Sequence, residues 1–413
     1  MARAYTGKGK KVSWGIIPSL GRPLVVLLLL QLMGGMVLSP HRTFFPLYIK
    51  GLGYPVLLIS ALATGQQIMG LIGAWVGGGL ADSLGRKGTL FLGQIGALLG
   101  SLAFLAPSVG WIAPLWLLGG LCGGLHTVAA QSYLLDSTPA NTLGMFSALY
   151  NWGTTLGGAL GNPVAGFLLE HQDYPTFGVV LGLLALLALA TNLFLLPPSP
   201  VARDGKAASR RRLFGYGDIA ARPTALILAL LRFLPTVYWG MALILIPLML
   251  HAAGAGNATI ALYATVSQVL ASVGQIIAGR AADRLGCKGV TVAAFSVLVF
   301  SILGIGALPD PLWSVFAFGV LGTTAAWSLS TLMPSLVAQV TEAEARGRAL
   351  GWIHLWWNLG MVAGSLVGGV TFRWGPGLPF FIAGALNLGS IALVFVFFRM
   401  VSAKGRGPLY IAP

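Results

Sequence analysis

The heptapeptide Asp82-Ser83-Leu84-Gly85-Arg86-Lys87-Gly88 returns 201 positions later as Asp283-Arg284-Leu285-Gly286-Cys287-Lys288-Gly289. Only seven Asp and eight Lys occur in the 413 residues, so a match holding Asp, Leu, Gly, Lys and Gly in register is not an accident of composition. The same offset pairs Gln67 with Gln268, Gly73 with Gly274, Gly78 with Gly279, and Pro46-Leu47 with Pro247-Leu248. Helices and loops of nearly equal length must therefore flank the motif in both copies, and the chain must fold as two versions of one design.

The solvent of that design is lipid. Charged residues make up 8% of the chain and hydrophobic ones 56%, whereas soluble domains carry about 25% charged residues. Apolar stretches near the roughly 20 residues needed to cross a bilayer lie at 24–48, 57–81, 89–107, 111–135, 145–168, 175–197, 223–249, 258–282, 289–307, 312–339, 348–371 and 377–399. An all-α membrane protein follows, with twelve transmembrane helices in two pseudo-symmetric six-helix bundles. The expected divisions are an N-terminal segment 1–22, a bundle 23–197, a polar linker 198–222, a second bundle 223–400 and a tail 401–413. The 58 glycines suit close helix packing. Two cysteines cannot make a disulfide framework.

A net charge of +15 read alone would suggest nucleic acid, but its placement excludes that reading. Twenty-one Lys and Arg fall on the side of the termini, against Lys50 and Arg373 on the other. This asymmetry predicts cytoplasmic termini in a cytoplasmic (inner) membrane. The first apolar run follows 22 residues bearing five cations and reads as an uncleaved helix. The basic linker, with Arg210-Arg211-Arg212, reads as a solvated or interfacial segment beside anionic lipid.

The loop Gly78-x-x-x-Asp82-x-x-Gly85-Arg86-Lys87, between the second and third of twelve spans, resembles the signature loop of the major facilitator superfamily. The resemblance covers the whole chain through the six-plus-six arrangement and the weaker copy from Gly279. It implies two halves rocking about a central site, with Asp82, Arg86 and Asp136 as a charge cluster stabilising the state closed to the cytoplasm. Gly78, Gly85, Lys87, Asp283 and Arg284 complete the expected gating set. Ser83 and Cys287 depart from the family's basic residues at those places. Gly153, Gly157, Gly158, Gly161, Asn162-Pro163 and Gly166 in the fifth span are similar, in part, to the glycine-proline pattern of drug/proton antiporters. Asn162 stands where that pattern has glycine.

All ten carboxylates fall at helix ends or in loops, so the buried carboxylate common in exporters of cationic drugs is missing. Two arginines do enter apolar spans. Arg232 lies about nine residues into the seventh span, near the midplane, with Gln31 as its repeat counterpart. Arginine does not deprotonate, so its burial calls either for an anionic substrate group or for carbonyls or an aromatic face, Trp239 among them. Arg42 lies nearer the far boundary, where snorkelling is an equal explanation.

Polar and aromatic residues align on single helical faces: Gln31 with Arg42, Arg232 with Trp239, Ser267 with Gln275, and His354 with Trp357 and Asn358. His126 aligns with Tyr133 on the fourth span. These nine candidates (Arg232, Gln31, Arg42, Trp239, His126, Gln275, His354, Trp357 and Asn358) predict an amphiphilic, partly aromatic cavity. His126, His354 or Asp136 would serve proton coupling if it exists. No nucleotide loop, metal cluster or nucleophile constellation is legible, and neither enzymatic activity, a metal nor a cofactor is expected. The sequence reads as a monomeric secondary transporter moving an amphiphilic, potentially anionic organic molecule or lipid outward. An importer or exchanger of a small organic anion is the alternative, and a non-transporting receptor a more distant one.

Overall fold

The computed structural model describes residues 21–138, 142–199, 220–341 and 346–403. The N-terminal segment before residue 21, the basic core of the linker, Glu342 and Glu344, and the tail beyond residue 403 lie outside the described residues. The first half contains α1 (Arg22–Gly51), α2 (Val56–Ser83), α3 (Arg86–Ala103), α4 (Val109–Ser137), α5 (Leu143–His171) and α6 (Tyr174–Leu195). The second contains α7 (Pro223–Ala252), α8 (Asn257–Leu285), α9 (Cys287–Ala307), α10 (Leu312–Ala338), α11 (Arg346–Thr371) and α12 (Leu378–Ala403).

The repeat is visible in the packing. In the first half α1 lies on α5, α2 on α4, and α3 on both α4 and α6. In the second half α7 lies on α11, α8 on α10, and α9 on both α10 and α12. Gly85 and Gly286, one from each heptapeptide, both take φ +85°. That left-handed conformation is open to glycine at little cost, and it lets one helix end and the next begin within two residues.

Close approach explains the glycines elsewhere. A Cβ on Gly157 would run into the carbonyl of Leu32 on α1, and one on Gly364 into that of Val237 on α7. In lipid, where no hydrophobic force separates protein from solvent, such backbone contact supplies the packing energy.

Ten of the twelve helices are long and apolar enough to cross a membrane by composition. The exceptions are α3, only 18 residues long with Arg86 and Lys87 in its first turn, and α5, diluted by glycines, Asn151 and Asn162. Both are packed between neighbours, which relaxes the need for an apolar surface all round.

The halves meet along α1–α7, α2–α11 and α5–α8. Cross-half hydrogen bonds among the described residues sit from mid-depth to the face opposite the termini. The hydroxyls of Thr64 and Ser365 lie 2.7 Å apart. Asn257 donates to the Leu169 carbonyl at 2.9 Å, and the Ala258 N–H donates to the Glu170 carboxylate at 2.9 Å. Ser39 accepts from Gln268 at 3.1 Å and from Asn162 at 3.0 Å, so the residue that departs from the glycine-proline pattern helps tie the seam. Toward the terminal face, a Cβ on Gly78 or Gly79 near the end of α2 would meet nothing.

Candidate functional site

Arg232 occupies the tenth position of α7, three residues before Pro235. Thr236, one turn on, donates its hydroxyl to the Arg232 carbonyl at 2.7 Å. The guanidinium lies over the Trp357 ring of α11, 5.1 Å from its centroid. What brings α11 so close is its glycine face: a Cβ on Gly360 would come within 2.8 Å of the Phe233 carbonyl. His354 meets the same ring in a tilted contact, 5.1 Å between centroids and 56° between planes. Trp239 meets Trp327 of α10 edge to face at 5.8 Å.

Arg232, Pro235, Thr236, Trp239, Ala326, Trp327, Ser330 and Trp357 line an inner chamber that is open on one side. A second, outer chamber is lined from both halves, by Arg42, Phe45, Pro46, Gln66, Gln67 and Trp116 on one side and by Gly240, Leu243, Ile244, Met361 and Ser365 on the other. From Thr236 to Gly240 and from Trp357 to Met361 is four residues in each helix. The outer chamber therefore begins about one helical turn, roughly 6 Å, farther from the termini. Phe45 and Trp116 stack at 3.5 Å between centroids and 4° between planes, giving it a flat aromatic wall.

Electrostatically the cavity has one sign. Among the described residues the ion pairs are those of Arg86 alone, so neither Arg42 nor Arg232 meets a carboxylate. Gln66 and Gln67, half-buried, make no side-chain hydrogen bond among the described residues, and Arg42 is exposed. Uncommitted polar groups at this depth have no use to the fold, and in a water-lined cavity they are free for a ligand.

Of the nine candidates, Arg232, Trp239 and Trp357 are brought together, and Arg42 is placed in the outer chamber. His354 and Asn358 flank the inner one, Asn358 donating to the His354 carbonyl at 2.9 Å. Gln31, His126 and Gln275 line neither of these two chambers. Gln31 is 5% exposed; it accepts from Thr154 at 3.1 Å and meets His126 at 3.4 Å, so both residues are held within the packing of α1, α4 and α5. Gln275, half-buried on α8, lines neither chamber. His41, the third histidine of the spans, meets the Ser101 hydroxyl at 3.1 Å and is 3% exposed.

Trp327, Ser330, Gln66, Gln67 and Trp116 were not singled out as ligand contacts. Two signals in the sequence could have found some of them. Trp327 stands at the repeat position of His126, and Gln67 at that of Gln268.

At the turn between α2 and α3, Arg86 lies between two carboxylates. Arg86 Nη1 meets Asp82 at 2.5 Å and its Nε meets Asp136 at 3.2 Å, while Ser199 donates to the same Asp136 oxygen at 2.8 Å. Lys87 instead donates to the Leu193 carbonyl at the end of α6, at 2.8 Å. The cluster joins α2, α3 and α4 within the first half. In the second copy Asp283 and Arg284 are exposed and carry no ion pair among the described residues. Cys287 has replaced the arginine that would provide one.

Comparison with known proteins decides the family. The profile of the Major Facilitator Superfamily matches residues 24–244 and 228–409. The chain belongs to the major facilitator superfamily. Members similar to it include a gallate transporter of Pseudomonas putida, 24% identical over 395 residues, with 86% of each chain covered. A multidrug resistance protein of Cronobacter sakazakii is 25% identical over 372 residues, covering 85% of this chain and 89% of its own. Among solved structures, a nucleoside transporter superposes with a TM-score of 0.77 at 16% identity, over 91% of this chain and 99% of that one. A D-xylose-proton symporter gives 0.72 at 16% identity, over 91% and 97%. These superfamily structures share the twelve-helix fold, and the protein is a multi-pass membrane transporter rather than an enzyme.

Proposed function

We propose that the protein is a secondary transporter of an amphiphilic aromatic organic anion, working by alternating access around Arg232. The observation that carries this reading is the unpaired guanidinium of Arg232 over Trp357, inside a cavity where no carboxylate among the described residues faces it. An arginine in a low-dielectric cavity attracts a planar carboxylate strongly and in fixed geometry. The surrounding indoles favour a flat apolar body.

The multidrug resistance relatives support outward movement, and the partial glycine-proline pattern of α5 agrees with it. The gallate transporter similarity, over most of both chains, favours a second reading in which a small aromatic acid is taken up or exchanged. Protons are the coupling ion to test first, with His126, His354 or Asp136 as the carrier. The charge asymmetry supports cytoplasmic termini. In that frame the exposed Asp82 carboxylate remains available to the positive N-terminal end of α11 when the halves close on the cytoplasmic side.

Reconstituted protein should move an aromatic carboxylate, and Arg232→Ala should not. Equal binding and flux in the variant would contradict the anion reading, and uphill flux indifferent to a pH gradient would remove proton coupling.

A further inference from the structure

The outer chamber holds a second cation that the Arg232 reading leaves without a role. Arg42 protrudes into it from α1, and its repeat counterpart Leu243 faces it from α7. Pro46 and Pro247, also at matching positions, lack the N–H that would bond the carbonyls of Arg42 and Leu243. Gln66 and Gln67 add two carboxamides without hydrogen bonds among the described residues. This is a lining built for polar contact, in a wall otherwise made of Phe45, Trp116, Ile244 and Met361.

Depth separates the two arginines. Leu243 lies eleven residues beyond Arg232 on α7, so by the repeat Arg42 and Arg232 sit roughly 16 Å apart along the helix axis at their Cα atoms. One small carboxylate cannot serve both. With neither guanidinium paired, the cavity carries two positive charges that a single monoanion would leave half compensated when the halves occlude and water is excluded. An uncompensated charge in that setting is strongly unfavourable.

Resting on the anion reading of Arg232, we infer that the ligand is an elongated aromatic dianion spanning both chambers. One carboxylate meets Arg232, the ring system lies along the indoles, and the second carboxylate meets Arg42, with Gln66 and Gln67 as donors. Arg42 is in this account a specificity-determining residue, selecting charge at the far end of the ligand.

The test compares naphthalene-2,6-dicarboxylate with its monomethyl ester, equal in outline and one charge fewer, by quenching of intrinsic tryptophan fluorescence in detergent-solubilised full-length protein. The dicarboxylate should bind at least about tenfold tighter, as expected for one added charge-assisted contact. Arg42→Gln should equalise the two probes, Arg42→Lys should keep most of the preference, and Arg232→Gln should weaken both. Equal binding by the wild type, or a preference surviving in Arg42→Gln, overturns this inference while leaving the Arg232 reading intact. If neither probe binds the wild type, both fall.

Discussion

Position 31 in the first half and position 232 in the second are repeat equivalents, and they have opposite fates. Gln31 is buried and engaged at its oxygen by Thr154 and at its nitrogen by His126. Arg232 faces a chamber, held by the ring of Trp357 and by no carboxylate among the described residues. The neighbouring equivalents diverge in the same sense, since His126 closes the first-half network while Trp327 lines the second-half chamber. One backbone design thus carries a satisfied polar core on one side of the pseudo-two-fold axis and an uncommitted cation on the other. Function in a duplicated fold appears where the repeat stops satisfying itself.

Four substitutions would break or sharpen this contrast. The largest effect belongs to Arg232→Ala, which should weaken an aromatic carboxylate by ten- to hundredfold, roughly the worth of a charged hydrogen bond, with little loss in thermal stability. Trp357→Leu comes next. Removing the ring beneath the guanidinium should cost about 1–2 kcal/mol of ligand binding, read by titration, because the arginine loses its orientation as well as the ligand its stacking partner.

Gln31→Leu should behave in the reverse way. The melting temperature should fall by an amount equivalent to about 1 kcal/mol, the scale of a polar contact between membrane helices, and carboxylate affinity should stay unchanged. The smallest effect is expected from Cys287→Arg, which restores the cation missing from the second gating loop. An exposed pair with Asp283 would add no more than about 0.5 kcal/mol, so its thermal shift should be barely measurable and its ligand affinity that of the wild type.

Much of this architecture can be read in the chain. The span expected at 24–48 is α1 extended by a few residues at each end, and that at 223–249 is α7 extended at its C-terminal end alone, because apolar periodicity fixes existence better than ends. Asp82, Arg86 and Asp136 meet as the motif implies. What could not be read is commitment. Gln31 and Arg232 both present as polar residues on an otherwise apolar helix, and no spacing rule tells that Thr154 and His126 will hydrogen-bond one while the other lies over the ring of Trp357. Gln275 illustrates the same limit, since helical phase fixes a face but not whether that face borders a chamber. Nor does a motif report the state of the machine, because all three charges of the Arg86 cluster belong to the same half.

The central claim, that Arg232 makes the cavity select for negative charge, is tested most directly by comparing naphthalene-2-carboxylate with naphthalene-2-carboxamide in tryptophan-fluorescence titrations of the wild type and Arg232→Gln. The wild type should prefer the carboxylate by about tenfold or more, and the variant should bind both alike. A wild type that does not discriminate, or a variant that retains the preference, would contradict it.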